Sequence, residues 1–205
     1  MITALEALAR LKEGNQRFTS DDDRAKMSTI NRRNELVGGQ APFAIVLGCS
    51  DSRAPAEIIF DHGLGDLFVI RVAGNIVAPS GIGSVEFAAE QFGTRLVIVL
   101  GHSDCGAVKA TIDQLDLPVD IRSKNLRSIV NRIKPVVEPL LNKRQGCDER
   151  EFLDFAVRAN IEASVQQLRH GSEILEDLIR NDDLMIVGAE YSLETGVVDF
   201  FEVPE

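Results

Sequence analysis

Four short stretches of the chain are apolar at almost every position: Phe43–Gly48 (FAIVLG), Leu67–Val72 (LFVIRV), Leu96–Gly101 (LVIVLG) and Leu184–Gly188 (LMIVG). Continuous apolar runs of this length, rich in β-branched residues, are how strands buried on both faces read. Between them lie segments of helical character: Ala54–Asp61, Ile82–Phe92, Gly106–Leu115, Ser123–Leu141, Glu149–Arg169 and Ser172–Arg180. Strand alternating with helix predicts an α/β fold: a mostly parallel central sheet of about four strands, right-handed crossovers, and helices on both faces. The tail Ala189–Val203 alternates around Glu194-Thr-Gly196 and reads as a hairpin or C-terminal edge strand. At the other end, Thr3-Ala-Leu-Glu6 fits a capping box, and Leu5, Leu8 and Leu11 follow at helical spacing before Gly14. That N-terminal helix has no evident place in the sheet. The acidic run Asp21-Asp-Asp23 reads as a solvated loop.

A length of 205 residues with 44% hydrophobic positions favours one domain over two, with a helical arm (1–40) ahead of an α/β core (41–205). The balance of 22 Lys+Arg against 32 Asp+Glu, net −10, argues against nucleic acid or an acidic membrane surface as partner. No apolar run approaches the ~20 residues of a membrane-spanning helix. Nor does the N-terminal stretch, interrupted by Glu6, Arg10, Lys12 and Glu13, resemble a secretory leader. An odd set of three cysteines, Cys49, Cys105 and Cys147, in a chain of this size suggests reduced thiols and a cytoplasmic setting.

In open α/β sheets, ligands gather at the carboxyl ends of the strands. The first predicted strand runs into Cys49-Ser-Asp51-Ser-Arg53, and the third into His102-Ser-Asp-Cys105. A single cysteine at a strand end is commonly a small buried hydrophobe. Two thiols, an imidazole and an Asp-x-Arg pair all falling at strand ends point instead to a metal site. Three protein ligands with a fourth position open is the pattern of a catalytic zinc, whereas a structural zinc is closed by four. Cys147 stands apart on the approach to a helix. Gly81-x-Gly83 is a helix-entry turn rather than a nucleotide fingerprint, because Glu86 occupies the place of the third glycine. Of the other histidines, His170 reads as a surface residue, and His62 is a secondary candidate for a proton shuttle.

Cys49-Ser-Asp51-Ser-Arg53 with His102-x-x-Cys105 resembles the β-class carbonic anhydrases. The likeness extends through Gly65-Asp66-Leu-Phe68-Val-Ile-Arg71-Val-Ala-Gly74-Asn75, Gly81-Ile-Gly83-Ser-Val-Glu86, the N-terminal Leu11–Phe18 and the terminal Gly188-Ala-x-Tyr191-x-Leu-x-Thr-Gly196. The resemblance implies one zinc ion per chain, held by Cys49, His102 and Cys105, with Asp51 and Arg53 as a catalytic dyad. It implies reversible hydration of carbon dioxide to bicarbonate and a proton, with zinc hydroxide as nucleophile and Asp51 orienting it while Arg53 keeps Asp51 off the metal. Two thiolates neutralise the ion's charge, so water activated there should ionise above the ~7 seen with three imidazoles. Cys105 should gain thiolate character from the start of a helix near Gly106.

The resemblance also implies substrate-binding roles for Gln40, Phe68, Phe87 and Gly106. Gln40, nine residues before Cys49, and Phe68 match the plant-type pocket, in which Phe87 replaces a tyrosine. The bicarbonate-gated subtype carries a Trp three residues before the first cysteine; here that residue is Val46, and the chain has no Trp. Arg71 alone matches that subtype. Relatives of this kind embrace a second subunit with their N-terminal helices, which implies a homodimer or homotetramer with its site at the interface. Carbon disulfide or carbonyl sulfide hydrolysis and non-catalytic zinc binding are the competing readings of the same ligands; the Asp-Arg pair argues against the second.

Overall fold

The computed structural model describes residues 2–20, 29–116, 123–201 and 203. Two helices, α1 (Ala4–Ser20) and α2 (Ile30–Leu36), precede β1 (Ala44–Gly48). Then come α3 (Ala56–Ile59), β2 (Leu67–Arg71), a 3-10 turn at Ala73–Asn75, α4 (Pro79–Gln91), β3 (Leu96–His102) and α5 (Gly106–Asp116). After α6 (Lys124–Val137) and a 3-10 segment Glu138–Gly146, the chain continues through α7 (Glu149–His170), α8 (Glu173–Asn181), β4 (Met185–Tyr191) and β5 (Val198–Phe201). The sheet order is β2-β1-β3-β4-β5, with the first four strands parallel and β5 antiparallel to β4. Both descriptions of the tail therefore hold, as a β4–β5 hairpin that forms the sheet's edge. The acidic run at 21–23 lies outside the described residues.

Two helices differ from the sequence reading for backbone reasons. Ala54–Asp61 shortens to α3 because Pro55 supplies its N-cap in extended geometry. The long helix expected over Ser123–Leu141 changes to 3-10 geometry after Val137, where Pro139 denies the next turn an N–H.

Side chains alternate between the two faces of the sheet. Ile45, Leu47, Val97 and Val99 pack with Val85 and Ala88 of α4, Ile133 of α6, Val157, Ile161 and Leu168 of α7, and Leu175 of α8. Ala44, Val46, Leu96, Ile98 and Leu100 point the other way, onto Leu8 and Leu11 of α1 and Ile59 and Phe60. The N-terminal helix thus does have a place on its own sheet. The capping box forms reciprocally: Thr3 N–H donates to Glu6 Oε2 at 2.8 Å and Glu6 N–H to Thr3 Oγ1 at 3.2 Å. Burying Leu8 and Leu11 stabilises the docked helix by roughly 1.5–3 kcal/mol each. Asn15 then clamps it: Nδ2 donates to the carbonyls of Ile59 and Gly196, and Oδ1 accepts from Val198 N–H at 2.9 Å.

Candidate metal centre

β1 and β3 are adjacent and parallel, with Gly48 in register with Leu100, so their carboxyl ends bring Cys49 beside His102. Asp104, in the left-handed region at φ 54°, turns the chain back to set Cys105 at the start of α5. The donor atoms of Cys49, His102 and Cys105 all lie within 4.8 Å of one another, and all three residues are buried. It is the one such cluster found among the described residues; Cys147 takes no part.

The hydrogen-bond pattern fits a cation. His102 Nδ1 lies 2.9 Å from the Ser103 carbonyl, and because a carbonyl only accepts, Nδ1 carries the proton and Nε2 presents its lone pair. That buried Nε2 has no hydrogen-bond partner. The second-sphere acceptor that sequence alone does not name is thus the next residue's carbonyl. Gly74 N–H donates to Cys49 Sγ at 3.3 Å. The Cys49 thiol is lowered, chiefly by its hydrogen bond with Cys105 and, against burial, by the neighbouring His102 ring and the backbone of Asp51 and Gly74. Cys105 is raised, because it shares its proton with the Cys49 thiolate and is buried. The N–H groups of Val108 and Ala107 at the start of α5 pull its pKa down, in the sense expected for a helix start, but do not prevail while the two sulfurs share one proton. Cation binding would displace that proton, so loading the site releases acid.

Beside the trio, Arg53 grips Asp51 through a fork: Nε to Oδ1 at 2.9 Å and Nη2 to Oδ2 at 2.8 Å, with Arg53 N–H also donating to Oδ1. Chiefly through these bonds, Asp51 stays ionised well below the usual carboxylate range. Its Oδ2 is 3.8 Å from His102 Nε2. Arg71 fixes the loop beneath, donating from Nε to the Cys49 carbonyl at 2.9 Å and from Nη2 to the Asp51 carbonyl at 2.6 Å. Arg53, Ser103 and Asp104 face an open groove of about 1010 Å³. Gly106 is exposed, and a Cβ there would meet nothing within 4 Å, so the approach over α5 is clear.

A family profile described as carbonic anhydrase matches residues 44–198. The chain belongs to the β-carbonic anhydrase family. Carbonic anhydrase 2 of Mycobacterium tuberculosis is 37% identical over 91% of this chain and 87% of its own length. A carbonic anhydrase of Mycolicibacterium smegmatis is 38% identical over 92% and 89%. Among solved structures, a tetrameric β-carbonic anhydrase of Sordaria macrospora superposes with a TM-score of 0.74 at 26% identity, covering 83% of this chain and 85% of its own. The β-carbonic anhydrase CcaA does so with a TM-score of 0.73 at 28% identity, covering 95% of each.

The remaining residues marked by resemblance to this family are not gathered at the trio within one chain. Gln40 lines a separate groove of about 490 Å³ with Arg33, Leu36, Val37, Gly39, Leu64 and Gly65. Phe68 and Phe87 form an aromatic group with Phe92 along β2 and α4, with ring centroids 5.7–6.2 Å apart. His62, the secondary shuttle candidate, sits at the opposite end of the sheet from the trio of its own chain, its ring edge-on to Phe43 at 4.8 Å just ahead of β1. Sequence reasoning missed Ser103, the clamp made by Arg71 and the Gly74 N–H. The only trace of the last is Ala-Gly-Asn directly after a strand, a place where the chain must turn.

Proposed function

We propose that this chain catalyses the reversible hydration of carbon dioxide to bicarbonate and a proton, with zinc held by Cys49, His102 and Cys105. The observation that carries the reading is a buried Cys-His-Cys trio, with one imidazole nitrogen unbonded, next to a carboxylate locked in ionised form by a forked arginine. A structural site has no use for that dyad. Zinc in this donor set supplies the Lewis acidity that makes water a nucleophile, and two thiolates shift its working range toward alkaline pH.

The chain's own residues do the rest. Asp51, kept anionic, is an acceptor only, so it takes a hydrogen bond from the attacking water's O–H and turns an oxygen lone pair toward the carbon. Arg53 occupies both carboxylate oxygens and holds Asp51 away from the ligand position it would otherwise fill. Arg71 stiffens the loop that carries both Cys49 and Asp51, so ligand and orienter keep one geometry. The plant-type pocket is the better reading, because Val46 faces α1 on the other side of the sheet and both Arg71 donors at the loop are spent on its carbonyls. In this reading Phe68 and Phe87 give the apolar wall, Gly106 leaves room for substrate, and Gln40 serves the site of a second subunit, so a homodimer is the active unit and a tetramer a pair of them.

Chelator stripping tests the reading directly. The stripped chain should lose carbon dioxide hydration and regain it with one equivalent of zinc. Full hydration without zinc, or none with it, overturns the assignment.

A further inference from the structure

Cys49 is bonded by a turn whose shape is imposed from elsewhere in the fold. Between β2 and α4 two successive residues take left-handed backbone: Gly74 at φ 71° and Asn75 at φ 43°. The first must be glycine, since a Cβ would also come within 2.8 Å of Ile133 Cδ1 and 3.1 Å of Ala107 Cβ. The second is not glycine, and left-handed backbone at such a residue persists where surroundings over-determine it. Those surroundings are α7. Asn160 Nδ2 donates to the Gly74 carbonyl at 2.8 Å, and Ser164 Oγ, one turn on, donates to the Asn75 carbonyl at 3.1 Å. Asn160 is only 3% exposed, a polar side chain in the midst of the apolar face that carries Val157 and Ile161. The same Gly74 unit sends its N–H to the Cys49 sulfur.

We propose that Asn160, seconded by Ser164, is a positioning residue of the metal centre: it holds the Gly74 turn so that its N–H donates to Cys49 Sγ and tunes that thiolate's bond to the metal. A hydrogen bond to a ligating sulfur withdraws charge from it and fixes its direction. Asn160 thereby acts on the site through one peptide unit, without touching a ligand itself. The proposal rests on the metal reading above, and its test separates the two.

The full-length chain is loaded with cobalt(II), and two quantities are read: the sulfur-to-cobalt charge-transfer band, and zinc affinity by competition with a chromophoric chelator. A wild-type chain that takes up no cobalt overturns the metal reading and this proposal with it. With wild type loaded, Asn160→Leu, which keeps volume and removes the donor, should move the band to longer wavelength and weaken zinc binding on the order of 10-fold. Ser164→Ala should shift both in the same direction by less, and serves if the first variant does not fold. Val165→Ala, a buried truncation on the same helix that bonds nothing in the turn, is the stability control and should leave the band in place. An unmoved band in both turn-directed variants overturns the proposal. So does an equal movement in Val165→Ala, which would make the effect one of helix packing.

Discussion

Two histidines occupy opposite ends of the same sheet, and at first inspection they look alike. Each has a covered Nε2 without a hydrogen-bond partner, and each has an aspartate oxygen near its ring: Asp51 Oδ2 3.8 Å from His102, Asp66 Oδ2 3.7 Å from His62. At the carboxyl end, two sulfurs stand within 4.8 Å of His102, and the bond from Nδ1 to the Ser103 carbonyl leaves Nε2 as a lone pair. At the amino end, His62 meets a Phe43 ring instead, and the neighbouring charges are already matched: Asp61 with Arg17 at 2.6 Å, Asp66 with Arg32 at 3.0 Å. Burial pushes His62 down, against its bond to the Arg10 backbone and the nearby Asp66. An unbonded imidazole nitrogen is therefore no site by itself; the company of two buried sulfurs makes one.

The largest effect that would break this contrast is loss of a ligand. Cys105→Ser or His102→Ala should reduce zinc affinity by more than the ~100-fold that marks the upper end for outer-sphere partners. His62→Gln should leave affinity and hydration rate within about 2-fold, a change no larger than ordinary surface substitutions produce. Equal losses from both ends, measured by chelator competition, would dissolve the distinction.

Next is the dyad. Asp51→Asn keeps shape but cannot be a pure acceptor, and should lower kcat/KM on the order of 10²-fold with zinc content unchanged. Arg53→Ala frees Asp51, whose Oδ2 stands 3.8 Å from His102 Nε2, to become a fourth ligand. The cobalt form of that variant should have the absorption of a site closed by four protein ligands. Retained open, water-bearing coordination would contradict the role given to Arg53.

The smallest effects are in pH. Asp51 is depressed in the folded chain, so its ion pair contributes fully above the unfolded carboxyl's ~3.9 and is lost only as pH falls below that. Any loss of activity between neutral pH and pH ~5 thus has another origin than protonation of Asp51. His62 is also depressed, and for a base the unfolded chain takes the proton first. Its contribution is present above ~6.5 and fades as pH falls through the lower folded value. Melting temperature should drop across that window. The drop should vanish in His62→Gln; a slope unchanged by that substitution would assign it to other groups.

The contrast also marks what can be read without coordinates. The four parallel strands were legible to within a few residues because a run apolar on both faces has few other uses, and Cys49, His102 and Cys105 because they end two of those runs. Asn15 and Asn160 were not legible. Each is a polar residue at a core position, and its meaning lies in carbonyls 44 to 181 residues away. The docking of α1 escaped for the same reason: periodicity says that Leu8 and Leu11 need a surface, not which one. Gln40 was marked by resemblance, yet it lies in a groove apart from the trio of its own chain.

The most direct test is stopped-flow carbon dioxide hydration on purified protein of known zinc content, at about pH 7 and about pH 8.5, spanning the ~7 of water on an all-imidazole zinc. With zinc near one per chain, turnover at both pH values, faster at the higher, is the predicted result. A rate that collapses at the lower pH, with Asp51 found on the metal, would contradict the open site, and no turnover at either would contradict the enzyme.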